Sequence, residues 1–101
     1  MALRSTLARA AAGALLVNAA PHGVAGLIGR PFPTPFADPP GRGLSGRLPN
    51  LVWSAANAAL GALLLRGHDG SRRENAAIAV SGAVSAAGLV AYFGSLDLDP
   101  K

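Results

Sequence analysis

Charged residues divide the chain into three long uncharged segments. No Asp, Glu, Lys or Arg occurs in residues 10–29, 48–65 or 75–96. Helices of these lengths would extend for roughly 27 to 33 Å, which matches a hydrocarbon core of about 30 Å. The pattern predicts an all-α integral membrane protein with three transmembrane helices, a Pro-rich loop over residues 30–47, and a single membrane domain over residues 1–101.

A soluble, Ala-rich three-helix bundle is the alternative interpretation. Ala adds little to membrane insertion, and the mean hydropathy of +0.36 is low for a membrane protein. A soluble helix of this length nevertheless needs a charged or strongly polar stripe that faces water, and none of the three segments carries one. We therefore favour the membrane interpretation and expect the protein to contact a lipid bilayer in the cell membrane.

Composition excludes several classes of function. The chain has no cysteine, which removes disulfides, thiolate catalysis and Cys-based metal sites. The net charge of +4 comes almost wholly from Arg, but no basic cluster is longer than Arg72 and Arg73, and no aromatic residues are interleaved with the basic ones. We therefore expect no nucleic-acid partner, and the Arg residues beside apolar segments are typical of anchors at lipid headgroups.

The sequence also lacks the motifs of an enzyme. No catalytic triad or carboxylate pair lies within the uncharged segments, and the glycine-rich stretch over residues 41–46 lacks the Lys and the preceding strand of a phosphate-binding loop. We expect no enzymatic activity, no cofactor and no metal site.

Prolines are expected to interrupt the helical pattern at two places. Pro21 lies inside the first segment and predicts a kink or a break near residues 17–21, because proline lacks an amide proton and crowds the preceding turn. Residues 31–41 hold five of the eight prolines. This spacing forbids a helix and predicts an extended path for the loop.

The N-terminal segment resembles a signal peptide in one respect. Arg4 and Arg9 precede an apolar run, and residues 17–19 would pass as a cleavage site. The uncharged run continues about ten residues beyond that site, so we expect a retained helix. With three spans, residues 1–9 and 66–74 lie on the same side of the membrane as the N-terminus and hold five Arg. The opposite side has four basic residues: Arg30, Arg42, Arg47 and Lys101. Because basic residues near helix ends favour the cytoplasmic side, this difference predicts a cytoplasmic N-terminus.

Polar and small residues share faces of the predicted helices. Asn18 and His22 are four residues apart, as are Asn57 and Gly61. If the helices alternate in direction, Asn18, Asn57 and Ser85 lie near the bilayer midplane, where they would form an interhelical hydrogen-bond cluster. The candidate residues for helix packing or a polar site are Asn18, His22, Asn57, Gly61, Ser81, Gly82 and Ser85.

The segment from Asn18 to Gly61 carries a recognisable pattern. Its residues are Pro21-His22, Gly26, Gly29, Phe32-Pro-Thr-Pro-Phe-Ala37, Pro39-Pro-Gly41, Gly43, Ser45, Asn50, Trp53 and Asn57. This pattern resembles a group of small uncharacterised multi-pass membrane proteins of high-GC, actinobacterial-type bacteria. The resemblance implies the membrane architecture and no activity or functional residue.

Two functions are compatible with these features. The first is a structural or accessory subunit whose Gly, Ala, Ser and Asn faces pack against a second copy or a larger membrane complex. The alternative is an oligomeric channel or carrier for a small polar solute or ion, built around Asn18, His22, Asn57 and Ser85. A lone His in such a segment is more often structural than a proton carrier or metal ligand, so we expect His22 to bond a neighbouring helix or a backbone carbonyl.

Overall fold

The described residues, 2–98 of a computed structural model, form three helices and one short hairpin. The helices are α1 (Ala2–Ile28), α2 (Arg47–Leu63) and α3 (Arg72–Gly94). Both α2 and α3 pack against α1. Contacts along the helices show that α2 runs antiparallel to α1 and that α3 runs parallel to it.

The first helix is longer than the uncharged segment that predicted it. It begins at Ala2 rather than residue 10, because Arg is a good helix former and a charge marks the edge of an apolar segment, not the end of a helix. It also continues through Pro21, so the predicted break does not occur. Packing against neighbouring helices offsets the one backbone hydrogen bond that a proline removes.

Two of the three helices meet the requirements for a transmembrane span. Leu3–Ile28 and Arg72–Gly94 are long and apolar enough to cross a membrane. The second helix has 17 residues and ends at Leu63, two residues before the predicted boundary. The chain then turns, and Gly67 adopts a positive φ of 78° that favours glycine.

The Pro-rich loop is folded into a hairpin. Strands β1 (Phe32–Pro33) and β2 (Leu44–Ser45) pair antiparallel, and Phe32 lies opposite Ser45. Thr34 organises the turn between them: its carbonyl accepts hydrogen bonds from the amides of Ala37 and Gly41, and its hydroxyl bonds that of Ser45 at 2.7 Å. The predicted extended path is therefore confined to short strands, and the hairpin covers the end of the bundle where α2 begins.

The third helix begins with a side-chain cap. Ser71 adopts an extended conformation, and its hydroxyl accepts a hydrogen bond from the amide of Glu74. The helix therefore starts at Arg72, three residues before the predicted boundary, and includes the charged residues Arg72, Arg73 and Glu74. It ends at Gly94, near the hairpin, where the Tyr92 hydroxyl donates to the Gly41 carbonyl at 2.8 Å.

Candidate functional site

Asn50 is the most connected polar side chain at the hairpin end. It is fully buried in the first turns of α2. Its Nδ2 donates to the carbonyl oxygens of Phe32, Ser45 and Gly46 at 3.0 to 3.1 Å. Its Oδ1 lies 3.0 Å from Nδ1 of His22 on α1. One amide therefore joins α1, α2 and both strands of the hairpin.

This arrangement determines which ring nitrogen of His22 carries the proton. Three carbonyl oxygens surround the Nδ2 of Asn50, so the amide cannot be reversed without placing oxygen against oxygen. The Oδ1 that faces His22 only accepts hydrogen bonds. Nδ1 of His22 is therefore the donor, and Nε2 of the neutral ring keeps its lone pair.

His22 lies among aromatic rings beside a cleft of about 230 Å³. The side chain is 2 % exposed. Phe32 and Phe93 contact its ring edge-on, with centroid distances of 5.3 and 6.0 Å. The cleft is also lined by Asn18 and Trp53, so it extends along the α1–α2 contact.

The predicted cluster at mid-depth contains two of its three members. Asn18 Nδ2 donates to Asn57 Oδ1 at 3.1 Å, and Asn57 Nδ2 donates to the Trp53 carbonyl at 2.8 Å. Ser85 does not join them. It is half-buried on α3, which packs against a different face of α1, so equal depth did not bring it to the Asn pair.

The small and hydroxyl-bearing candidates lie at helix contacts. Ser81 Oγ donates to the carbonyl of Ala10, one helix away. Gly61 is buried where a Cβ atom would lie 2.9 Å from Leu16 on α1. A Cβ atom on Gly82 would lie 3.4 Å from Val17, which is an ordinary van der Waals contact. The candidate residues thus occupy several separate helix contacts and do not form a single site.

The opposite end of the bundle contains an ion pair that the sequence analysis missed. Arg9 Nε and Glu74 Oε1 are 2.8 Å apart, and both side chains are buried. A second guanidinium nitrogen of Arg9 donates to the carbonyl of Leu64 at 2.9 Å, which ties the end of α2 to the pair. Glu74 is the sole Glu of the chain and Arg9 precedes the first uncharged segment. Because the first and third helices run parallel, residues near their N-terminal ends lie at the same end of the bundle. This arrangement could have predicted the contact between Arg9 and Glu74.

His68 and Asp69 lie beside this ion pair. Each offers a ligand atom within 4.8 Å of the other and of a Glu74 oxygen. The Glu74 oxygen already receives the Arg9 guanidinium, and His68 Nδ1 lies 3.0 Å from it. A hydrogen bond from the Ser71 amide holds the pKa of Asp69 below its usual range. Hydrogen bonds and the ion pair with Arg9 therefore connect these three residues.

No family model, curated protein or solved structure matches the chain. The resemblance to small actinobacterial-type membrane proteins therefore stays a prediction.

Proposed function

We propose that the chain is a small multi-pass membrane protein that serves as a structural or accessory subunit, packing against a second copy or a larger membrane complex. The two long apolar helices support the membrane placement. The second helix runs beside α1 for most of its length, since Asn50 meets His22 near the hairpin and Leu64 meets Arg9 at the other end. This arrangement supports α2 as the third span.

The outer face of α3 carries the proposal. Val80, Val84, Ala87 and Ala91 follow each other at helical spacing and are all exposed, with 62 % of Val80 and 66 % of Val84 accessible. This face points away from α1. Small and β-branched residues at such spacing permit close approach of another helix in lipid.

The polar residues support an accessory role over conduction. Asn18 and Asn57 bond each other, and Asn50 bonds His22 and the hairpin. Among the described residues that are not exposed, every enclosed side-chain nitrogen and oxygen has a hydrogen-bond partner. The amides proposed for a channel are therefore used to hold one chain together.

Single cysteines test the proposal, because the natural sequence contains none. A thiol-attached photo-crosslinker is placed at Val84→Cys or Ala87→Cys on the outer face, and at the exposed Ala59→Cys on α2 as the matched control. After irradiation in native membranes, the two α3 variants should give a discrete protein adduct, and the α2 variant should not. Equal reaction with lipid at all three positions would overturn the accessory role.

Two further single cysteines report the orientation. A cytoplasmic N-terminus places the hairpin outside the cell, so an impermeant thiol reagent added to intact cells should label Asp38→Cys, which is exposed in the hairpin. It should spare Ser71→Cys in the turn before α3. The reverse labelling pattern would reverse the proposed topology.

A further inference from the structure

We infer that the cleft beside His22 binds the ring of a neutral, lipid-phase molecule that carries a hydroxyl group, such as a phenol or hydroquinone. The hydroxyl donates a hydrogen bond to Nε2 of His22. This inference concerns one copy of the chain and does not depend on the partner proposed for α3.

His22 Nε2 has no hydrogen-bond partner among the described residues. Nδ1 is bonded to Asn50, and no described residue bonds the second nitrogen. Every enclosed side-chain nitrogen or oxygen of the described, non-exposed residues has a partner. Nε2 is therefore not enclosed, and the cleft that His22 lines is the space it faces. A side chain that is 98 % buried thus directs one lone pair into a cavity.

A second open acceptor lies one helical turn away. Asn57 donates to the Trp53 carbonyl, and Asn18 donates to Asn57. The Oδ1 of Asn18 accepts no hydrogen bond from another described residue. Asn18 lines the same cleft as His22. Asn18 keeps one amide N–H as well as its Oδ1, so it can donate or accept, whereas Nε2 of the neutral His22 ring only accepts. A ligand that bonds His22 must therefore supply a hydrogen-bond donor.

The walls define the rest of the ligand. Trp53, Phe93 and two prolines give flat apolar surfaces, and none of the lining residues carries a full charge. A neutral ring fits such walls, whereas an anion or a metal cation would lack a counter-charge. The hydroxyls of Thr34 and Tyr92 are already bonded to Ser45 and Gly41. The volume of about 230 Å³ suits a single substituted ring.

The test uses Trp53, the sole tryptophan, as a reporter in the cleft. Decylhydroquinone, kept reduced, is titrated into the detergent-solubilised protein, and its dimethyl ether is the matched probe without donors. The hydroquinone should quench Trp53 fluorescence saturably. The ether should bind about three- to tenfold more weakly, which corresponds to the loss of one net hydrogen bond.

The variant His22→Asn isolates the lone pair. The Asn amide nitrogen can lie where Nδ1 lies and keep the bond to Asn50, but the variant has nothing in the place of Nε2. Its affinity for decylhydroquinone should fall to that of the ether, and its affinity for the ether should not change. His68→Asn, at the opposite end of the bundle, is the control and should leave both affinities unchanged.

A measurement on the unaltered protein keeps the test independent of folding defects. With ¹⁵N-labelled histidine, NMR should show His22 protonated at Nδ1, and decylhydroquinone should shift its Nε2 resonance while the ether does not. Equal quenching by both probes with no shift at Nε2 would mean that they merely partition between the helices. That result would overturn the ligand site and leave the accessory role of α3 untouched.

Discussion

The second and third helices are attached to the first in different ways. The side chains of Asn50, Ser54 and Asn57 on α2 all bond to α1: Asn50 meets His22, Ser54 donates to a backbone carbonyl at 2.7 Å, and Asn57 accepts from Asn18. The third helix has two side-chain bonds to α1, since Glu74 pairs with Arg9 and Ser81 donates to the Ala10 carbonyl. Elsewhere it approaches α1 through small residues. A Cβ atom on Gly13 would lie 2.6 Å from a backbone oxygen of α3.

The difference follows from the properties of the two helices. Lipid is as apolar as a leucine side chain, so helices in a membrane associate through close packing and hydrogen bonds. The second helix is short and polar on one face, and that face is fully used by α1 and the hairpin. The third helix is long and apolar, and small residues let it approach α1 closely. The outer faces of both helices are exposed, with 51 % of Val52 on α2 and 66 % of Val84 on α3 accessible. The two helices therefore differ in how they hold α1.

The largest expected effect comes from removing the amide that holds α2. Asn50→Leu deprives three carbonyl oxygens and His22 Nδ1 of their partner, and each buried group left without one is costly. We expect a loss of about 3 to 5 kcal/mol in the free energy of unfolding. Titration with SDS, followed by Trp53 fluorescence, measures it.

Asn75→Leu is the matched control for this change. Asn75 is exposed on α3 and bonds only the carbonyl of Gly70. Its replacement should alter the free energy of unfolding by less than about 0.5 kcal/mol. If both variants were equally stable, α2 would be held by packing, and the contrast with α3 would disappear.

A smaller effect is expected at the contact between α1 and α3. In Gly13→Ala the new methyl group meets the carbonyl oxygen of Ile78, which is backbone and cannot rotate away. The helices must separate, at a cost of about 1 to 3 kcal/mol in the free energy of unfolding by SDS titration. Gly88→Ala adds the same methyl group in open space and should cost nothing. Equal stability of the two variants would show that close approach does not hold α3.

Sequence spacing predicted the faces of the helices better than their partners. The four-residue spacing of Asn18 and His22 predicts a shared face, and both side chains bond residues of α2. Spacing alone does not say which neighbour a face meets. The interpretation of Arg9 and Glu74 as boundary residues was wrong because charge was taken to end a helix, although both lie inside helices and pair with each other.

The hairpin shows a second limit of sequence patterns. Its prolines predicted the absence of a helix, which is correct. Its compact turn, however, depends on a hydrogen bond between Thr34 and Ser45, which are 11 residues apart in sequence. The position of Asn50 under the hairpin depends on the same tertiary contact. Local pattern carries no information on such pairings, because their energy arises only after the chain has folded back.

The smallest effect separates two serines on the same helix. Ser81 donates a hydrogen bond to the Ala10 carbonyl, whereas Ser85, one turn later, makes no hydrogen bond with another described residue. A hydrogen bond between helices in a membrane contributes about 0.6 kcal/mol on average, so Ser81→Ala should lower the free energy of unfolding by about that amount and Ser85→Ala should not. Both changes remove one hydroxyl group, so they alter the hydrophobicity of α3 equally. The difference between the two variants in an SDS titration therefore reports the hydrogen bond alone. A loss at Ser85 equal to that at Ser81 would mean that α3 is held by more side-chain hydrogen bonds than those of Glu74 and Ser81. The second and third helices would then be held in similar ways.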